Sequence, residues 1–169
     1  MNPALSALFD EPEKRYLQPN ELNVLSQYVG SLPERIAVYR QLRDEELTLM
    51  QQVADTLQQQ FPQESEDLLK RSIQNGLLAL RYAAMALLTD DTDLVTRRLQ
   101  SWLPDMVEAY GTLAIDQALH ALLTQQLSRR FTAPQMALLT PGLAAAKAML
   151  NPTHAVATDT TDAPLVGMF

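Results

Sequence analysis

Apolar residues recur along this chain at three- and four-residue intervals, and polar clusters divide them into helical runs. Residues 1–8 read as a short helix. Gln18-Pro19-Asn20-Glu21 opens a segment with Leu22, Leu25, Val29 and Leu32 on one face. Pro19 suits the first helical position, where its missing N–H has no partner to lose. Gly30 marks a bend or a helix end. Ser31-Leu32-Pro33-Glu34 after it reads as a capping box, expected to launch a separate long helix through Phe61. Leu47, Met50, Val53, Leu57 and Phe61 form the expected inner face of that helix. A polar break follows at residues 62–67. The next helix is expected at about 68–89, with Leu69, Ile73, Leu77, Leu80 and Leu87 in phase. After Gly76 it is nearly apolar all round, which implies deep burial. Asp90-Asp91-Thr92 ends it and supplies N-caps for a helix at about 94–110, facing inward with Leu99, Leu103, Met106 and Tyr110. Pro104 should bend or divide that helix. Residues 112–130 form a fifth segment, with Ile115, Leu119, Leu122 and Leu123 inward. Thr132-Ala133-Pro134-Gln135 is a second capping box, starting a last helix that Pro141-Gly142 is expected to break in two. Residues 151–169 have no helical period and read as a disordered tail, apolar again over its last five residues. No strand alternation or internal repeat appears, so the fold class is all-α.

Composition agrees with this. The 169 residues are 47% hydrophobic and 20% charged, enough for one packed domain, while aromatics make up 6% and glycines number 5. No apolar run approaches the ~18–20 residues of a membrane span. The first ten residues lack a basic segment followed by an apolar core, so no signal peptide is expected. The absence of cysteine excludes disulfides and thiolate metal sites and is compatible with a reducing cytoplasm. A formal charge of −7 disfavours nucleic acid and anionic membrane surfaces as partners.

Three stretches carry a family resemblance over roughly residues 14–130. Lys14-Arg15-Tyr16-Leu17 with Glu21-Leu22, the run from Leu80-Arg81-Tyr82 to Asp90, and Glu108-Ala109-Tyr110-Gly111-Thr112-Leu113 follow in the order and spacing of allophycocyanin-type phycobiliproteins. The chain resembles that light-harvesting family. The resemblance implies a globin-like helical body (residues 33–150) preceded by an N-terminal helical pair (residues 1–32) that clasps a partner subunit.

At the pigment site the chain departs from what it resembles. The family carries its bilin on a cysteine eight residues before Leu-Arg-Tyr, in the pattern Cys-x-Arg-Asp. The corresponding residues are Ser72, Ile73, Gln74 and Asn75. A serine hydroxyl is a far weaker nucleophile than a thiolate. Gln74 cannot replace the cation that pairs with a bilin propionate. Asn75 can accept a hydrogen bond but supplies no negative charge. The loop between Phe61 and Leu68 is also shorter than the family's. No bilin, and no other cofactor, is expected at Ser72, Gln74 and Asn75.

The residues that resemble the family's assembly contacts are better kept. An acidic residue before Arg-Tyr-Leu pairs across the family's subunit interface with the Arg of Leu-Arg-Tyr. Glu11, with Asp10 beside it, and Arg81 stand at those places, so Asp10, Glu11, Tyr16, Leu17, Arg81 and Met85 are the expected interface residues. Met85 replaces a tyrosine of that interface.

Other chemistry finds little support. His120, between Leu119 and Ala121, reads as a polar-side or satisfied histidine before it reads as a haem ligand. Asp90, Asp91 and Asp93 read as a helix stop with N-caps rather than as a metal site. Trp102 is at helical spacing with Leu99 and Met106, as packing residues are. No nucleophile–base constellation or phosphate-binding glycine loop is visible, and no enzymatic role is expected. The leading expectation is a chromophore-free phycobiliprotein-like protein that works by protein–protein contact in the assembly, attachment, turnover or regulation of phycobilisomes or photosynthetic complexes. Its partners would be itself, another such subunit, or phycobilisome and photosystem components; its place the cytoplasm, reaching the thylakoid surface only through partners. The alternative is a globin-like sensor holding a tetrapyrrole or fatty acid in an apolar cavity near Leu77, Leu80, Met106 and Leu119.

Overall fold

The computed structural model describes residues 3–10 and 16–151, leaving aside the side chains of residues 3, 4, 9 and 10. Among the described residues there are seven helices and no strand: α1 (Pro3–Asp10), α2 (Pro19–Gln60), α3 (Glu66–Thr89), α4 (Asp93–Leu99), α5 (Leu103–Tyr110), α6 (Leu113–Arg130) and α7 (Ala133–Ala148). Residues 152–169, where the sequence predicts a tail, lie outside the described residues, as does Glu11.

The helix α3 lies at the centre because both of its faces are apolar. One core joins it to α2, α6 and the start of α7 through Val38, Leu49, Val53, Leu80, Leu119 and Leu127. A second core, on its other side, joins it to α4, α5 and the end of α7 through Ala86, Val95, Leu99, Leu103, Val107 and Ala146. The deep burial expected after Gly76 holds for Leu80, Ala83, Ala84, Ala86 and Leu87, whereas Arg81 and Met85 face out.

The sequence pattern divides α2 at Gly30–Ser31, but the helix runs unbroken through 42 residues, across the expected domain boundary at residue 32. Ser31 does not cap. Its hydroxyl donates back to the Tyr28 carbonyl (2.8 Å) and accepts from Arg35 Nε (2.9 Å). Pro33 removes one backbone donor, and contacts with the end of α3 hold the helix across that gap. Tyr28 Oη donates to the Leu88 carbonyl (3.0 Å), and Arg35 donates to the Leu87 carbonyl and to Asp90 Oδ1 (both 2.6 Å). The last carbonyls of a helix have no intrahelical partner, so α2 completes the C-terminus of α3. Gln41 Nε2 does the same for the Arg130 carbonyl at the end of α6 (3.3 Å).

Three further expectations are corrected. The helix α7 continues through Pro141 instead of breaking. Gly142 lets it lie directly on α3: a Cβ there would stand 3.0 Å from both Cα and Cβ of Ala83. Leu47 is 83% exposed rather than inward, and Tyr110 faces out, its ring under the Arg71 guanidinium at 3.8 Å. Pro104 does divide its segment, into α4 and α5. The Thr132 capping box forms, with Gln135 Oε1 accepting from the Thr132 N–H at 3.0 Å.

Two glycines separate helix propensity from close packing. Gly30 is helical, and a Cβ added to it would meet nothing within 4 Å, so Gly30→Ala should raise stability by about 0.5–1 kcal/mol. Gly142→Leu should lower it by about 1–3 kcal/mol by forcing α7 off α3. Urea denaturation of the two variants beside the parent checks both signs.

Candidate functional site

The residues aligned with the pigment site do not converge. Ser72 is 1% exposed and turns toward the first turn of α6, whereas Gln74 is exposed on the opposite side of α3, in a groove shared with Gln51, Asp55 and Gln58 of α2. Asn75 faces α6 with Gly76, beside Asp116, Leu119 and His120. The space there is small. Leu119 Cδ2 would lie 2.2 Å from a Cβ on Gly76, so the leucine occupies the volume that a side chain at position 76 would need. What remains is a cavity of about 20 Å³. That is room for about one water, far short of the roughly 150 Å³ that admits benzene. Leu80 and Leu119 line it as the sensor reading expects; Leu77 and Met106 do not.

The polar groups around this closed space are engaged with one another. Asp116, 3% exposed, accepts from the Thr112 hydroxyl at 2.6 Å. Burial pushes the Asp116 carboxyl above its ordinary range, while the Thr112 and Ser72 hydroxyls pull it down. Ser72 Oγ lies beside that carboxyl without a well-aligned hydrogen bond among the described residues. The His120 Nε2–H donates to the Leu143 carbonyl (2.9 Å). Burial lowers the His120 pKa, and Lys147 lowers it further, against the favourable contact with Leu143. A neutral imidazole that holds α6 to α7 is the satisfied histidine of the sequence reading. Neither Asp116 nor its partnership with Thr112 is legible in the sequence; a lone acid four residues after a threonine gives no signal of burial.

The acidic cluster at the end of α3 is divided among structural roles. Asp90 is the left-handed C-cap (φ 51°) and pairs with Arg35. Asp91, 3% exposed at its side chain, pairs with Arg97 at 2.7 Å. Thr92 makes no side-chain cap. Among the described residues no group of three or more histidines and carboxylates is placed to hold a metal ion.

Two of the expected interface residues, Arg81 and Met85, border a groove between α2 and α3. Arg81 is engaged within the chain by a residue sequence reasoning missed: Glu46 of α2 accepts from Arg81 Nε and Nη2, each at 2.8 Å. This forked pair raises the Arg81 pKa through the hydrogen bond first and the charge second. It borders an open groove of about 350 Å³ between α2 and α3, whose apolar floor is Leu42, Leu80 and Ala84 and whose rim includes Tyr39, Arg43 and the 41%-exposed Met85. Tyr16 is 96% exposed and Leu17 half-buried, before the start of α2. The side chain of Asp10 and the whole of Glu11 lie outside the described residues.

A central helix buried between two apolar cores, crossed by a long antiparallel α2 and closed by α6 and α7, is the globin-like all-α fold. The family model for phycobilisome proteins matches residues 9–123, and the chain belongs to that family, whose members are structural light-harvesting proteins. It does so without any cysteine. No curated protein matches the chain. Among the described residues no helix is long and apolar enough to cross a membrane.

The burial of Asp116 carries a pH signature. A raised native pKa means the folded chain keeps this proton to higher pH than the unfolded chain does. Stability therefore falls as pH rises from the ordinary value of 3.8 through the raised native one, and the full penalty persists above it. Asp116→Asn keeps an acceptor for Thr112 and removes the charge. The variant should melt higher than the parent near neutral pH and lose that advantage below about pH 4, as thermal denaturation across a pH series will show.

Proposed function

We propose that this phycobilisome-family protein works without a covalent bilin, as a contact protein in the assembly, attachment, turnover or regulation of phycobilisomes or the photosynthetic complexes they serve. The observation that carries the reading is the contrast between two regions of one chain. Ser72, at the cysteine-equivalent position, is buried beside Asp116, and the space that Asn75, Gly76 and Leu119 line between α3 and α6 is about 20 Å³. Meanwhile Met85 of α3 stays exposed on the rim of the open α2–α3 groove, and Leu22, Val29 and Ile36 stay exposed along the first half of α2. Exposed apolar residues grouped together, unlike scattered ones, mark a surface that another protein covers. In this reading Asp10, Glu11, Tyr16, Leu17, Arg81 and Met85 belong to that surface, and the protein reaches the thylakoid through its partners. Antenna subunits and photosystem components are the partner classes that the family membership supports.

Co-expression with bilin biosynthesis should give a colourless protein. Ser72→Cys should stay colourless too, because the new thiol would be buried against Asp116 and out of reach of a tetrapyrrole. A blue or pink product from either would overturn the reading of the closed site. Capture from a phycobilisome and thylakoid fraction should enrich antenna or photosystem proteins on the parent chain, and Met85→Glu should reduce that enrichment several-fold. Equal capture by parent and variant would remove this face from the proposal.

A further inference from the structure

Beyond the described residues the sequence turns apolar again at Leu165-Val166-Gly167-Met168-Phe169. The stretch before it has the opposite character. Residues 152–164 hold Asp159 and Asp162 and no Lys or Arg. An apolar pentapeptide therefore hangs on an acidic tether, and an apolar surface with a free cation at its edge would complement it.

The open groove between α2 and α3 is such a surface. Its floor is Leu42, Leu80 and Ala84, Tyr39 and Met85 stand on its rim, and its volume is about 350 Å³. That falls in the size range of pockets that enclose several apolar groups. Its two arginines differ in state. Arg81 is answered by both oxygens of Glu46. Arg43 is exposed and makes no hydrogen bond or ion pair among the described residues.

The path is short. Leu150, just past the end of α7, shares the small cavity between α3 and α6 with Leu80, and Leu80 is also part of the groove floor. The last described residues thus stand about one or two helix diameters, roughly 10–20 Å, from the groove. The tether of residues 152–164 can span about 45 Å when extended, enough to pass around α3. Tethering also replaces a bimolecular encounter by a local concentration on the order of millimolar, so the burial of a few side chains suffices to hold the segment.

We infer that residues 165–169 dock in the α2–α3 groove of their own chain, with Asp162 on Arg43, and cover that face until a partner displaces them. The inference rests on the contact role proposed above and adds the state of the contact face before a partner arrives. Docking takes Met85 and the groove floor out of water and gives Arg43 the carboxylate it lacks. The internal segment and the external partner then compete for one surface, and the charge pair sets how much of the chain is open.

The chain has no native cysteine, so engineered pairs report the docked position. Met85→Cys/Met168→Cys should form an intramolecular disulfide about tenfold faster than Gln58→Cys/Met168→Cys. Gln58 is also exposed, but it lies in the polar groove shared with Gln51 and Asp55. Arg43→Glu should slow the first reaction several-fold, and Arg43→Glu/Asp162→Arg should restore most of the rate. Circular dichroism of each variant checks that the helices are kept, and mass spectrometry separates a bridge within one chain from a bridge between two. Equal rates for the two pairs, no effect of Arg43→Glu, or bridges only between chains overturns the inference. Deletion of residues 165–169 should raise capture of antenna proteins several-fold, and Met85→Glu should abolish that gain. Capture unchanged or lowered by the deletion overturns the covering role. Selective bridging with no antenna capture by any variant supports the docked segment and overturns the contact role instead.

Discussion

The arrangement depends on how closely other helices approach α3. Its small residues permit that approach: Gly76 receives Leu119 from α6, and Ala83 receives Gly142 from α7. Interiors pack at crystal-like density, so each close approach leaves no spare volume beside it. The tight contact at Gly76 and the near absence of a cavity beside Asn75 are one fact seen from two sides. Any larger residue at position 76 would have to displace Leu119 and reopen the space between α3 and α6.

Between α3 and α6 the residues beside Asn75 leave no void of cofactor size. Removing a cofactor from a packed protein would leave an apolar void that costs stability in proportion to its volume. Here Leu119 fills the space against Gly76, and the polar groups around it answer one another: Thr112 serves Asp116, and His120 serves the Leu143 carbonyl. The body is packed as an ordinary core. What distinguishes it is the surface, where Leu22, Val29, Ile36 and Met85 stay uncovered.

Much of the fold was legible in the apolar spacing. The periodic segments found α3, α6 and α7, Pro104 marked the division between α4 and α5, and Thr132 capped as its box predicts. The errors have physical reasons. Ser31-Leu32-Pro33-Glu34 has the composition of a helix start, but long-range bonds from Tyr28 and Arg35 to the end of α3 carry the helix through it. Pro141-Gly142 has the composition of a break, but the glycine is needed for contact with Ala83. Leu47 lies in phase with a buried face and still points to solvent, because periodicity gives a direction and not what stands there. At the site, the residue types at Ser72, Gln74 and Asn75 were readable from the sequence, and the expectation about a pigment rests on them alone. The closing of the space by Leu119 and the partnership of Glu46 with Arg81 were not readable, since both depend on which helices become neighbours.

The unbroken course of α2 has a mechanical consequence. Its buried residues, from Val38 onward, are anchored in the main core, while the preceding turns project along the surface as the same rod. Whatever binds those turns meets a strut already held in one orientation, with no hinge to freeze and little ordering entropy to lose. Force or displacement applied there is transmitted to the end of α3 through Tyr28 and Arg35, so the strut and the centre of the body must move as one piece.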